Sequence, residues 1–175
     1  MLFALLSLSS CLKVDESYKH PEYMNLLREI EYETIQELKK KGLYISGFGG
    51  CLMDCIRLVD LSFRYEKYAD ISKARELIVL VVETFLKKIN NHEKIRPDLC
   101  NYPFSSDNLD IQIDLIGNDK IIKKKKMEIV NFVVLKEGMI FYKYSGINNS
   151  IYKNLEKETY KEAKEKAKLS SKLSK

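Results

Sequence analysis

IRLVDLSFRYEKYADISKARELIVLVVETFLKKIN, residues Ile56 to Asn90, contains two hydrophobic periods in succession. Its first part places an apolar side chain at every second position: Val59, Leu61, Phe63 and Tyr65. This period of two predicts a half-buried strand from Ile56 to Tyr65. Its second part begins at Ser72, the predicted N-cap, and spaces apolar residues by three and four: Ala74, Leu77, Ile78, Val81, Phe85 and Ile89. That spacing predicts a helix that ends near Asn90 and lies across a sheet.

The segments on either side continue the succession of helices and strands. Helices are predicted over residues 21–41, ended by Gly42, and from Leu155 to Leu169. In the second of these, Glu158 and Lys161 form one of three acidic–basic pairs whose spacing supports a helix. Further strands are predicted over residues 43–45, 109–115, 128–135 and 139–145, with a turn at Lys136-Glu137-Gly138 between the last two. Together these indicate a single α+β domain in the order α-β-β-α-β-β-β-α, with about three helices and a mostly antiparallel sheet of about five strands. The second helix covers one face, and the first helix covers the other face or leaves it partly open.

The composition excludes several classes of protein. The chain has 175 residues, of which 45% are hydrophobic and 31% charged, so a folded core is expected rather than disorder. It has no apolar run of about 18 residues, the length that a conventional membrane-spanning helix needs. The net charge of +5 is mild, and no nucleic-acid-binding motif is present, so nucleic acid is an improbable partner.

The first residues, MLFALLSLSSC, resemble the lipobox of bacterial lipoproteins, in which an aliphatic residue and two small residues precede a lipid-bearing cysteine. The resemblance implies that residues 1–10 are a leader, that Cys11 carries the lipid and that residues 11–20 are a tether. Residues 21–169 then form the domain and residues 170–175 a frayed tail. No Lys or Arg precedes the apolar stretch, unlike a usual signal peptide. The alternative is a short apolar element that docks on the domain with Cys11 buried.

The other three cysteines are Cys51, Cys55 and Cys100. One disulfide and one free thiol are expected in an oxidising compartment, and reduced thiols in the cytosol. The spacing lacks the second ligand pair of a zinc site, so we expect neither a metal nor a cofactor. A nucleophilic pair of Cys55 or Cys100 with His92 has no support in the local sequence.

Two local runs have structural explanations. Gly47-Phe48-Gly49-Gly50 is not followed by Lys and Ser or Thr, as a phosphate-binding loop would be, and is predicted to be a turn or bulge between strands. The lysine run Lys123 to Lys126 is interpreted as protection of a sheet edge that pairs with Asp110 and Asp114. Its alternative role is contact with anionic lipid or nucleic acid.

The long loop from Asn90 to Asn108 is the predicted contact surface, because loops of this length in small domains are often functional. The candidate contact residues are Arg96, Asn101, Tyr102 and Phe104. In the alternative interpretation, Tyr102 and Phe104 pack into the core and hold the loop against it.

Two sequence segments, Ile95-Arg96-Pro97 and Asn101-Tyr102-Pro103-Phe104, and the order of the elements resemble those of an uncharacterised group of small bacterial envelope proteins. The resemblance implies a membrane-anchored envelope location and no catalytic residues. We therefore expect a non-enzymatic, lipid-anchored protein that binds a partner protein or a small ligand. The alternatives are a soluble cytoplasmic or secreted interaction protein with a structural N-terminus, and an enzyme whose site has no recognised motif.

Overall fold

The computed structural model describes residues 21–118, 130–145 and 152–173, in which three helices pack against a six-stranded sheet. The helices are α1 (Glu22–Lys39), α2 (Ile71–Asn91) and α3 (Tyr160–Leu173). The strands are β1 (Leu43–Cys51), β2 (Leu58–Tyr65), β3 (Leu109–Leu115), β4 (Phe132–Lys136), β5 (Met139–Ser145) and β6 (Tyr152–Thr159). Short 3-10 helices cover Glu93–Asp98, Ser106–Asn108 and Ile116–Asn118. The α+β class expected from the sequence is confirmed.

The strands lie in the order of the chain, from β1 at one edge to β6 at the other. Every neighbouring pair is antiparallel except β2 and β3, which run parallel with Val59 opposite Leu109. A parallel pair needs a crossover connection, and α2 supplies it. The predicted mostly antiparallel sheet is confirmed, with the one parallel pair formed by β2 and β3.

The predicted count of about five strands is wrong, because β6 is a sixth strand. The sequence predicted a helix from Leu155, whereas Tyr152–Thr159 pairs with β5 and α3 begins at Tyr160. Glu158 lies opposite Ile140 and points into the protein rather than toward its predicted helical partner Lys161. Its partners are Arg75 and Lys166. The helix also continues to Leu173, past Ser170 where fraying was predicted.

The three helices lie side by side on one face of the sheet, with α2 in contact with both α1 and α3. The core between helices and sheet is apolar and contains Leu27, Leu38, Leu61, Phe63, Ile78, Phe85, Ile111, Ile113, Leu135 and Tyr142. Because α1 lies beside α2, it does not cover the other face. In the described strands that face carries partly exposed polar side chains, among them Asp60, Ser62, Asp110 and Gln112.

The start of α2 differs from the prediction, whereas the end of the first helical region and the turn between β4 and β5 agree with it. The N-cap of α2 is Asp70 rather than Ser72, and its side chain accepts a hydrogen bond of 2.7 Å from the backbone N–H of Lys73. Gly42 ends the first helical region with a φ of +84°, as predicted. Glu137 and Gly138 also have positive φ and form the predicted turn between β4 and β5.

The glycine run lies inside β1, so the part of the prediction that placed a turn there is wrong. The register shifts between Ile45 and Gly47, which is the predicted bulge. Gly50 has a φ of +155°, and a Cβ atom there would lie 2.3 Å from the Leu58 carbonyl oxygen. Only glycine therefore lets β1 approach the start of β2 this closely.

Candidate functional site

A disulfide joins two loops at one end of the sheet. Cys55, between β1 and β2, is bonded to Cys100, which precedes β3, and their Cα atoms are 5.3 Å apart. On either side, the N–H of Ile56 donates to the Asp98 carbonyl at 2.7 Å, and that of Cys100 donates to the Ile56 carbonyl at 3.0 Å. We call this end of the molecule the cysteine end: residues 51–57, 93–105 and the N-terminus of α1.

The predicted arrangement of one disulfide and one free thiol is therefore present, with Cys51 free and exposed. Cys55 and Cys100 are bonded to each other, so neither is available as the thiolate of a pair with His92. In the described ranges, no three His, Cys, Asp or Glu side chains lie close enough together to hold a metal ion. Cys11 and the lysine run Lys123 to Lys126 lie outside the described residues.

The predicted contact loop is organised around one side chain, that of Asn90 at the end of α2. Its amide nitrogen donates to the Phe104 carbonyl at 2.9 Å, and its amide oxygen accepts from the Phe104 N–H at 2.7 Å. The Asn90 carbonyl also accepts from Arg96 Nε at 3.3 Å. These bonds hold both halves of the loop against the helix. The sequence analysis did not single out Asn90, because an Asn at a helix end is commonly only a terminator.

The four predicted contact residues divide into two groups. Phe104 is 2% exposed and packs in the core, so for this residue the structure supports the alternative in which the side chain holds the loop against the core. Tyr102 is 52% exposed, and the guanidinium of Arg96 lies over its ring at 5.3 Å from the centroid. Asn101 is also exposed. The surface that remains for contact is a stacked Arg96 and Tyr102 pair with Asn101 beside it.

A second exposed feature of the cysteine end was missed in the sequence. Met53 is 86% exposed in the turn after β1. Phe48, which lies within β1 and outside the cysteine end, is 73% exposed. The buried Tyr23 of α1 holds that turn, because its hydroxyl shares its one proton between the carbonyls of Leu52 at 2.7 Å and Met53 at 2.9 Å. The prediction of a turn or bulge at the glycine run gave no indication that Phe48 would lie exposed on a strand.

The other buried polar cluster is structural and lies between α2, β6 and α3. Glu158 accepts hydrogen bonds from Arg75 Nε at 2.5 Å, from the Tyr142 hydroxyl at 2.5 Å and from Lys166 Nζ at 2.7 Å. Burial alone would raise the pKa of Glu158, but these donors outweigh burial and hold that pKa below its usual value. The donors come from α2, β5 and α3, so Glu158 ties three elements together, and we assign the cluster to the fold.

In the part of the chain that the structure describes, no helix is both long and apolar enough to cross a membrane. Comparison with known proteins found no matching family model, no matching curated protein and no matching solved structure.

Proposed function

We propose that this chain is a non-enzymatic, lipid-anchored bacterial envelope protein that acts by binding, with Cys11 as the lipid-attachment residue. The observation that carries the proposal is the disulfide between Cys55 and Cys100. Disulfides persist in oxidising compartments outside the cytosol and are rare inside it. A lipid-bearing cysteine near the N-terminus belongs to the same setting.

The cysteine end supports binding rather than catalysis as the activity. The exposed ring of Tyr102 and the half-buried Arg96 above it lie on a loop that Asn90 and the disulfide hold in place. A rigid contact surface loses little conformational freedom when a partner binds, and Tyr and Arg are the residue types that contribute most at such surfaces. These properties fit a partner protein or a small ligand of the envelope.

The N-terminus has a second candidate role, which a specific observation favours. A groove of about 420 Å³ between α2 and α3 has an apolar floor formed by Leu77, Leu80 and Ala167. An unprocessed apolar N-terminal segment would be stabilised by burial in such a groove. The protein would then be a soluble interaction protein with a structural N-terminus, as the sequence analysis also allowed.

The intact mass of the protein expressed from its own upstream region separates the two roles. The anchored protein lacks residues 1–10 and carries acyl mass in the membrane fraction, and Cys11→Ala loses both properties. Cys51→Ala is the matched control, because Cys51 is a free, exposed thiol of the domain, and this variant should be processed like the wild type. A soluble chain that keeps Met1 and lacks acyl mass would contradict the anchor and support the structural N-terminus.

A further inference from the structure

The two edges of the sheet differ in how they are protected against pairing with another strand. Edge strands normally carry charged side chains or proline, which hinder such pairing. β6 follows this rule, because four of its eight residues are charged. β1 does not, because its nine residues, LYISGFGGC, include neither a charged residue nor a proline. Its bulge between Ile45 and Gly47 leaves a regular stretch of five residues, Gly47 to Cys51, at the edge.

The outer side of β1 carries backbone groups without a partner. Among the described strands, β2 alone lies beside β1. Within the described residues, the one further backbone hydrogen bond of β1 runs from the Arg57 N–H, just before β2, to the Cys51 carbonyl at 3.0 Å. A row of outward N–H and C=O groups of this kind is a template on which another strand can pair.

Two glycines of β1 are not required by the fold. Gly47 and Gly49 lie opposite Ser62 and Asp60, and neither glycine has a positive φ. A Cβ atom at Gly47 would lie 3.6 Å from Ser62 Cβ, and one at Gly49 would lie 3.9 Å from Asp60 Cβ, which are ordinary contacts. Glycine inside a strand lowers stability, and it often marks a place where another backbone comes close. These glycines leave the backbone of the edge bare on the open face of the sheet.

Phe48 projects from the same stretch on the other face of the sheet. It lies opposite Leu61, which is fully buried beneath the helices, and residues directly opposite in an antiparallel pair share a face. The ring of Phe48 is nevertheless 73% exposed, and β1 is the outermost strand. A strand added beside β1 would cover the side of this ring that faces away from β2.

The charges at the two ends of β1 fit a second copy of the strand that runs in the opposite direction. Three lysines at positions 39–41 precede β1, and at the same end Arg64 and Glu66 offset each other. The cysteine end, where β1 finishes, has a slight acidic excess. It carries four acidic residues, Glu22, Asp54, Glu93 and Asp98, and three basic residues, Arg57, Lys94 and Arg96. Antiparallel pairing places the basic end of each copy beside the acidic end of the other.

We propose that β1 pairs with β1 of a second copy of this chain, so that the two sheets join into one across a two-fold axis. Such an axis makes the paired strands antiparallel and closes the assembly at two copies. Pairing of β1 with β6 of the next copy would instead leave a free edge at each end and continue into a filament. An uncharged strand suits the symmetric contact, because a charged side chain near the axis would face its own copy. The inference goes beyond the proposed function and does not depend on the anchor at Cys11.

The first measurement is the mass of the full chain in solution as a function of concentration, by sedimentation equilibrium. Every sample carries Cys11→Ala and Cys51→Ser, so that neither acylation nor a disulfide through the exposed thiol joins two copies. We expect a reversible equilibrium between monomer and dimer. A chain that stays monomeric up to millimolar concentration overturns the inference, and so does a mass that rises past the dimer without limit.

Lysine substitutions locate the contact. Phe48→Lys and Gly49→Lys place a charge on opposite faces of β1, and the two-fold axis brings each lysine close to its own copy. Each variant should raise the dissociation constant of the dimer about tenfold or more, because like charges at an interface repel. Leu169→Lys is the matched control, because Leu169 is also a large hydrophobic residue, 62% exposed, but lies on α3, which packs beside β6. It should leave the dissociation constant unchanged.

Amide hydrogen exchange separates strand pairing from any other contact between two copies. The outward N–H groups of β1 should exchange more slowly as the dimer forms, whereas exchange in β6 should not change. Dissociation by Phe48→Lys but not by Gly49→Lys, without slowed exchange in β1, would assign the dimer to the aromatic ring alone and overturn strand pairing. Equal weakening of the dimer by Leu169→Lys would place the contact elsewhere and also overturn the inference.

Discussion

Arg75 on α2 and Glu158 on β6 are bonded through Nε and Oε1 at 2.5 Å, with the Glu158 side chain only 3% exposed. The two residues are 83 positions apart in the chain. Their contact joins the central helix to the edge strand that the sequence analysis missed. Removing one member of a buried ion pair leaves the other charge without compensation, which costs far more than an exposed pair is worth.

Glu158→Gln should therefore destabilise the protein by about 2–4 kcal/mol. The amide of Gln carries no charge to neutralise Arg75 and Lys166. Its NH₂ group would also place hydrogen-bond donors against the N–H donors of those two side chains. Urea unfolding followed by circular dichroism measures the change. Glu165→Gln, an exposed change on α3, should alter the free energy of unfolding by less than about 0.5 kcal/mol. Equal effects of the two substitutions would contradict the role of the buried pair.

Glu31 on α1 should make stability depend on pH in the neutral range. Burial raises the pKa of its carboxyl from 4.5 to about 7, although Arg28 partly opposes this rise. Between these two values the folded state holds a proton that the unfolded state has lost. The free energy of unfolding therefore falls as pH rises from about 4.5 to beyond 7, by roughly 3 kcal/mol in total.

Glu31→Gln removes this dependence, so the variant should equal or exceed the wild type at pH 8 while differing little near pH 5. The measurement is the free energy of unfolding in urea at several pH values. Glu29→Gln, at an exposed position of the same helix, should leave the pH profile of the wild type unchanged. A wild-type profile that rises steadily from pH 5 to 8 would show that the Glu31 carboxyl is not buried in this way.

The disulfide should contribute strongly to stability, since Cys55 and Cys100 are 45 positions apart. A cross-link that closes a loop of that length removes chain entropy from the unfolded state worth about 4 kcal/mol. Cys55→Ser with Cys100→Ser should lower the free energy of unfolding by about that amount. Cys51→Ser, which leaves the cross-link intact, should have almost no effect. If the double variant is as stable as Cys51→Ser, the two loops are not joined in solution.

Asn90→Ala should release the contact loop from α2. The substitution removes both hydrogen bonds to Phe104, and leaving buried partners unpaired costs about 1–3 kcal/mol. Amide hydrogen exchange at Phe104 should accelerate about tenfold or more, as follows from that loss. Asn91→Ala, at the exposed neighbouring position, is the control and should leave this exchange rate unchanged. Slow exchange at Phe104 in Asn90→Ala would mean that the disulfide and the bond of Arg96 to the backbone hold the loop without the Asn90 side chain.

Much of the fold was determined by the local sequence. The alternation from Val59 to Tyr65 and from Leu109 to Leu115 predicted β2 and β3, and both form. Gly42 ends the helical region before β1, and Glu137 with Gly138 forms the predicted turn. These features depend on near neighbours, because hydrophobic period and turn chemistry act over a few residues. The sequence also contained the cysteine pattern from which one disulfide and one thiol were expected.

The tertiary structure alone decided which distant groups meet. By their local sequence, Glu156 and Glu158 are typical of a charged helix. Pairing with β5 places both in a strand instead. Both carboxylates contact Arg75, and that of Glu158 points into the protein. The pairing of Cys55 with Cys100 and the separation of Tyr102 from Phe104 were decided in the same way. Burial is a property of the packed molecule, because it depends on residues remote in the sequence that exclude water together.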